Sequence, residues 1–371
     1  GAEVYVHELA KRWASEGNLV VMFAGNDGKS PRNEIVEGVY IKRRGGFYTV
    51  YAWAIIYYLL KFRGKFDVLV DSINGIPFFA PLYSRKPVIG IIYHIHQEVF
   101  RKHLRFPFSH IAMFLEGKLM PWVYNNTKII TISNSSKCGI EKLGFGSKKG
   151  MEIIYPGIDL SLFKKVNKTS YPSFVYLGRL KHYKNIDIAI SAFALIEKKY
   201  PESRLIIAGV GESKKDLVAL TKKLAISKKV KFTGKVSEVE KLKLLSQSWA
   251  AIQPSSVEGW GITVIEANAS GTPVIASKVN GLKDSIIDGE TGILVKVRST
   301  KETALAMKKL LSDKAYLSKL SKNAYKWSHN FSWDVSSSQF YNSLTTSVGL
   351  KNVTSQKTKK VLTRESFIQN L

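Results

Sequence analysis

Short runs of consecutive apolar residues recur along this chain, each separated from the next by a stretch of helical length. Residues 18–24, 68–70, 88–92 and 128–132 are such runs in the first half. Residues 174–177, 204–208, 250–252 and 274–276 are such runs in the second, and residues 231–233, Lys231-Phe232-Thr233, read as a further strand. A strand that is apolar throughout must be covered on both faces, and alternation with helices implies a parallel sheet between two helical layers. The pattern occurs on both sides of a turn-rich piece at residues 155–159. It therefore predicts an α/β fold with two doubly wound domains, over residues 1–155 and 156–330. A C-terminal helix over residues 331–347 is predicted to return to the first domain. The polar, basic stretch 348–371 is predicted to be a loosely held tail. Doubly wound domains bind ligands at the carboxyl ends of their strands. A crevice is thus expected between residues 94–98 and 258–263.

The length of 371 residues is more than one ordinary core needs and enough for two. Apolar residues at 45% and charged residues at 23% are those of a soluble globular protein. The charge balance is unusual: 56 Lys and Arg against 29 Asp and Glu give a net charge of +27. Such a chain is drawn to polyanions, whether nucleic acid, anionic lipid or phosphorylated substrates. The single cysteine, Cys138, excludes an intramolecular disulfide and suits a reducing compartment. No run reaches membrane-spanning length, and no secretory signal is visible. The chain opens on Gly1-Ala2-Glu3 without a methionine, so a segment before residue 1 is expected.

One stretch carries most of the chemistry. Residues 249–254 read as a buried strand, and Gly259 and Gly261 then make a turn whose backbone a ligand can approach closely. A helix is predicted over 263–269 and is stopped by Gly271-Thr272-Pro273. Glu258 is thereby placed on a loop at the carboxyl end of a strand, and Glu266 about a turn into the helix. The first backbone N–H groups of that helix favour an anion such as phosphate. Two carboxylates beside an anion site suit a ligand bearing both hydroxyls and phosphates. The plainer alternative makes Glu258 a helix cap and Glu266 a solvated residue.

Gly259, Gly261, Glu266-Ala267 and residues 271–276 as a block closely resemble the E-x7-E motif of retaining glycosyltransferases of family four, known also as glycosyl transferases group 1. The resemblance implies a GT-B fold, two Rossmann-like domains facing across a crevice. It extends to Gly1-Ala2-Glu3 with His7-Glu8-Leu9-Ala10, to residues 129–137, and to residues 154–159 with Phe163. The family's first strand and glycine-rich loop would precede residue 1. By resemblance, Glu266 takes the ribose hydroxyls of a donor and Glu258 faces the donor sugar. Backbone N–H groups of Ile262 and Thr263 would receive the distal phosphate, with Gly259, Trp260 and Gly261 in the same turn.

Other positions extend this set. Gly178-Arg179-Leu180 and then Lys184 end a strand with two cations. The planar fork of Arg179 suits a diphosphate and Lys184 adds a point charge. Together they would stabilise negative charge growing on a departing nucleoside diphosphate. Gly209-Val210-Gly211 is a second strand-end loop that lines the nucleotide crevice or is simply a tight turn. Residues 232–236, with Lys235 and Val236, resemble the family's nucleobase-holding segment. His94 fits the family's histidine that touches the donor sugar, and His96 is its rival for that place. No carboxylate or cysteine partners this pair at metal-ligand spacing, so no metal or cofactor is expected.

Two segments combine aromatic and basic residues. One spans residues 47–60 between Arg43-Arg44 and Lys61-Phe62-Arg63, and the other spans residues 100–108. Both resemble interfacial segments for anionic lipid. The alternative for the first is a helix that packs on the sheet. The expected function is transfer of a sugar from a UDP- or GDP-sugar to a glycan or lipid-linked acceptor, with retention. The expected location is cytoplasmic, peripheral on the inner face of the membrane, and no nucleic acid partner is expected. The competing readings are another GT-B enzyme acting on nucleotide sugars, a non-catalytic basic module for membrane or nucleic acid, and an inactive fragment.

Overall fold

A computed structural model of the chain describes residues 1–163 and 166–349. The basic tail lies, from residue 350 onward, outside the described residues. Two compact units divide the described chain. One comprises residues 1–157 and 333–349, and the other residues 158–332.

The first unit holds two sheets rather than the single parallel sheet expected. Strands β1 (Val21–Ala24), β2 (Asn33–Val36) and β3 (Val39–Arg43) form a three-stranded sheet in the order β1-β3-β2. β1 is parallel to β3, whereas β2 and β3 are an antiparallel hairpin. Its two turn residues, Glu37 and Gly38, have φ of 48° and 82°, the double left-handed turn that matches strand twist. β1 takes its hydrogen bonds from that hairpin, so the run at residues 18–24 lies outside the parallel sheet. The hairpin escaped the sequence reading because Asn33, Glu34 and Glu37 interrupt its apolar pattern. The second sheet is all parallel: β4 (Leu69–Ile73), β5 (Val88–Ile92), β6 (Lys128–Thr131) and β7 (Met151–Ile153), in that order.

The helix Ala2–Ser15 buries Tyr5, Leu9, Ala10 and Trp13. The Tyr5 hydroxyl donates to the Ile154 carbonyl oxygen at 3.1 Å. The helix Trp333–Ser347 packs against it within the same unit. Trp13 lies 5.2 Å from Phe340, ring to ring, and the Arg12 Nε donates to Asp334 at 2.7 Å. The helix Val50–Tyr57 buries only Val50, so the alternative in which it packs its length on a sheet does not hold.

The second unit is one parallel sheet. Its strands are β8 (Ser173–Leu177), β9 (Arg204–Ala208), β10 (Val230–Gly234), β11 (Ala250–Gln253), β12 (Val274–Ser277) and β13 (Gly292–Val295). The order is β10-β9-β8-β11-β12-β13. β11 and β12 are buried at every residue, which explains their unbroken apolar sequences. One cluster, containing Phe174, Tyr176, Phe193, Leu205, Ile207 and Met307, packs the sheet against its helices. Each such side chain contributes about 1.5–3 kcal/mol by burial. The chain winds outward from β8 through β9 to β10, then returns to the far side of β8 as β11. Strand order therefore reverses between β8 and β11, and such a reversal opens a crevice at the carboxyl ends.

Candidate active site

The loops after β8 and β11 meet at this reversal. After β8, residues His182–Lys184 form a single 3-10 turn, and Asn185 closes it in the left-handed conformation at φ 48°. Asn185 is the stitch between the loops. Its Nδ2 donates to the Pro254 carbonyl at 3.0 Å and to the Ser256 hydroxyl at 2.6 Å. The Ser256 N–H donates to the Tyr183 carbonyl at 2.8 Å, and Arg298 donates to the Asn185 side-chain oxygen at 3.2 Å. Asn185 adjoins Lys184 in the sequence, yet nothing in its local pattern announces this role. Its partners Pro254 and Ser256 come from the loop after β11, 69 and 71 residues away.

The same meeting pairs two candidate residues that the sequence reading kept apart. Lys184 Nζ lies 2.5 Å from Glu258 Oε2, and both side chains are largely buried. The Gln253 amide approaches the same oxygen at 3.4 Å. Lys184 is thus not a lone phosphate cation, nor Glu258 a lone sugar acceptor; they form one neutralised pair. Neither charge could leave water so fully without the other. Arg179 is exposed and donates to the Tyr183 hydroxyl at 3.1 Å, while the Lys184 ammonium sits 5.3 Å from the Tyr183 ring centroid. Tyr183 therefore bridges the two cations.

Gly261, at φ 85°, opens the helix Ile262–Ala269, and Ile262 and Thr263 lie in its first turn, half-buried. A Cβ on Gly281 would lie 2.4 Å from the Glu258 carbonyl oxygen, so a bare backbone is required for the Glu258–Gly259 turn to seat there. Gly211 has a similar role. Its Cβ would lie 2.3 Å from the Leu180 carbonyl oxygen, so its observed role is loop packing. A Cβ on Gly209 would lie 1.9 Å from the Gly178 carbonyl oxygen, so Gly209 packs in the same way against Gly178. Trp260, in the same turn as Glu258 and Gly259, is buried, and its ring packs edge-on to Phe331 at 5.1 Å. Lys235 and Val236 follow the carboxyl end of β10, the former exposed and the latter half-buried.

Glu266 has a partner that sequence reasoning missed. Lys241, on the helix Glu238–Gln247, lies 2.7 Å from Glu266 Oε1 and 2.5 Å from Glu238. Burial alone would lower the Lys241 pKa; the two carboxylates outweigh it and hold the ammonium above its ordinary value. No local signal in the sequence links Lys241 to a glutamate on the next helix.

In the first unit, His94 follows β5. The His94 and His96 rings are 3.9 Å apart, and His96 stacks on Phe100. Glu116, almost fully buried, accepts from the His96 backbone N–H at 2.7 Å and from the Gln97 amide at 2.9 Å. His96 Nδ1 lies 3.3 Å from the same carboxylate but is not aligned for a hydrogen bond. Among the described residues no three His, Cys, Asp or Glu side chains converge as a metal site requires. Burial first, then the neighbouring His96, pushes the His94 pKa down to about 3, so the imidazole is neutral at physiological pH. An unfolded chain takes up this proton at the ordinary value, 6.5. Stability is therefore present above pH 6.5 and is lost as pH falls from 6.5 to about 3. Melting temperatures of the parent and His94→Phe across that window check this: the variant should show the shallower acid decline. Parallel curves would contradict it.

Two adjoining family models match the chain. The model for Glycosyltransferase Family 4 matches residues 1–162, and that for Glycosyl transferases group 1 matches residues 158–327. The chain belongs to this group of glycosyltransferases and has the GT-B fold. Sucrose-phosphate synthase from Thermosynechococcus elongatus superposes with a TM-score of 0.79 at 20% identity, over 93% of this chain and 94% of that one. Anabaena HepE, solved with UDP and glucose, superposes with a TM-score of 0.72 at 18% identity, over 93% and 96%. A glycogen synthase of Mycobacterium tuberculosis is 29% identical over 57% of this chain and 52% of its own length. A D-inositol 3-phosphate glycosyltransferase of Rhodococcus jostii is 29% identical over 50% and 44%. The chain thus spans about half the length of the curated relatives it matches.

Proposed function

We propose that the protein is a retaining glycosyltransferase that moves a sugar from a nucleoside-diphosphate donor, a UDP- or GDP-sugar, to a glycan or lipid-linked acceptor. The observation that carries this reading is the Lys184–Glu258 pair, joined to Arg179 through Tyr183 at the strand-order reversal of the second unit. Similar folds solved with UDP and with UDP-glucose in Anabaena HepE support the donor class. In this reading Arg179 and Lys184 bind the diphosphate, Glu258 a sugar hydroxyl and Glu266 the ribose. The bond from the anomeric carbon to the diphosphate breaks, and its electron pair leaves with the phosphate oxygen. Charge growing there is stabilised by the two cations. The acceptor oxygen attacks the same face, and its proton passes to an oxygen of the leaving group. A covalent intermediate on Glu258 is the less suitable route, because that carboxylate is already engaged by Lys184 and Gln253. His94, neutral, would donate or accept a hydrogen bond at the sugar. Cys138, a lone thiol, fits a reducing, cytoplasmic setting. A thermal-shift panel of UDP-, GDP- and ADP-sugars identifies the donor. Proton NMR of the product should then show the donor's anomeric configuration. An inverted product would overturn the retaining mechanism, and a silent panel the donor class.

A further inference from the structure

Residues 108–123 run as one continuous helical stretch, through Phe108–Phe114, a π-helical turn at Leu115–Leu119, and Met120–Val123. Its polarity is inverted. A helix on a soluble protein turns its apolar face inward and its polar face to water. Here Ser109 and Glu116 are buried together with Ala112 and Met120. The outward face carries Phe108, Ile111, Phe114 and Trp122, with exposures of 66%, 51%, 59% and 71%. Phe106, just before it, is 79% exposed. Steps of three and four residues put this series on one face. Lys118 is exposed in the same series, and Arg101 and Arg105 are exposed immediately before it.

A second apolar segment flanks the same loop. Tyr51 packs on Phe78 at 5.1 Å, and Phe100 approaches Gly75. The helix that carries Tyr51 exposes Trp53 and Ile56, and Leu60 beyond it, followed by exposed Lys61 and Arg63. A row of exposed large apolar residues on one helix face, as at residues 108–122, marks an interaction site. Its chemistry selects the partner. A symmetric pair of copies would bring Arg101, Arg105 and Lys118 toward their own equivalents, which a net charge of +27 makes worse. Aromatic anchors ringed by cations match an anionic bilayer, where rings sit at headgroup depth and cations meet phosphates. Among the described residues no helix is long and apolar enough to cross a membrane. We propose that the outward face of residues 106–122 is a membrane-docking surface that inserts its aromatic side chains into anionic lipid. This does not depend on the reaction proposed above.

The test uses the full chain with vesicles of phosphatidylcholine alone and of phosphatidylcholine mixed with phosphatidylglycerol. The parent should co-sediment with the mixed vesicles and much less with the neutral ones. A Phe108→Gln/Phe114→Gln/Trp122→Gln variant should bind the mixed vesicles at least about tenfold more weakly, because three buried rings are removed. An Arg101→Glu/Arg105→Glu/Lys118→Glu variant should also bind weakly and lose most of the parent's salt dependence. If the glutamine variant fails to fold, Trp122→Phe answers the same question. The chain has seven tryptophans, so the signal is the difference spectrum. The parent's vesicle-induced blue shift, and its quenching by brominated lipid, should shrink in Trp122→Phe. Unchanged quenching, equal binding to neutral and anionic vesicles, or no binding to either would overturn the proposal. So would a self-associated parent that the glutamine substitutions convert to monomers without affecting vesicle binding.

Discussion

Lys184→Met lowers the affinity for the donor's nucleoside diphosphate by about 1.5–3 kcal/mol, roughly 10- to 150-fold, the range for a hydrogen bond to a charged group. The substitution acts twice. It removes a phosphate cation, and it leaves the Glu258 carboxylate largely buried without the counter-charge it holds at 2.5 Å. The second effect destabilises the fold, at most by the 3–5 kcal/mol typical of a broken buried pair, and by less here because both side chains keep some contact with water. In a unit of this size each kcal/mol moves the melting temperature by about 2–4 °C. Adding Glu258→Gln to Lys184→Met removes the orphan charge. The double variant should therefore recover much of the lost melting temperature and none of the lost affinity. Calorimetric melts and nucleotide titrations of the parent, both single variants and the double variant separate the two effects. Recovery of affinity along with stability would mean that Lys184 supports the loop and does not meet the phosphate.

Glu258→Ala and Glu266→Ala should differ in kind. Glu266 is held by Lys241 on the nucleotide side of the site, far from the bond that breaks in the proposed arrangement, so its loss should raise the donor KM about 10- to 150-fold and leave kcat near the parent value. In the same proposed arrangement Glu258 faces the sugar, where contacts strengthen as positive charge develops, so its loss should lower kcat by a similar factor with a smaller change in KM. Lys241→Ala should follow Glu266→Ala, because the carboxylate then loses the ammonium that orients it. Steady-state kinetics with saturating acceptor measure both parameters. The reverse pattern would exchange the two roles.

The second unit was most legible at β11 and β12, which are buried at every residue and so read as unbroken apolar runs. The glycines that punctuate the site were legible too, although Gly211 and Gly209 answer to loop packing as well as to ligand access. Pairings across loops were not legible. Lys184 and Glu258 were both found, but their contact depends on β8 and β11 being neighbours, which no local window contains. Asn185, Gln253 and Lys241 were missed as functional residues for the same reason. The hairpin β2–β3 was missed because its residues are half exposed and mixed in polarity. The direction of the Trp260 side chain was not legible, because membership of a turn does not fix which way a large side chain points; it is buried against Phe331. The inverted helix at residues 108–123 shows the opposite limit. Its apolar content was visible, but a sequence does not say which face is inside.

The measurement that tests the account most directly is calorimetric titration of UDP and GDP into the parent and an Arg179→Ala/Lys184→Ala variant, at about 50 mM and about 200 mM salt. A chain this basic would bind any polyanion, but attraction of that kind weakens steeply over this range. A donor site built on Arg179 and Lys184 gives saturable one-to-one binding of one of the two nucleotides, largely kept at the higher salt and lost in the variant. Heat that fades with salt for both nucleotides alike, or a variant that binds as tightly as the parent, would contradict it.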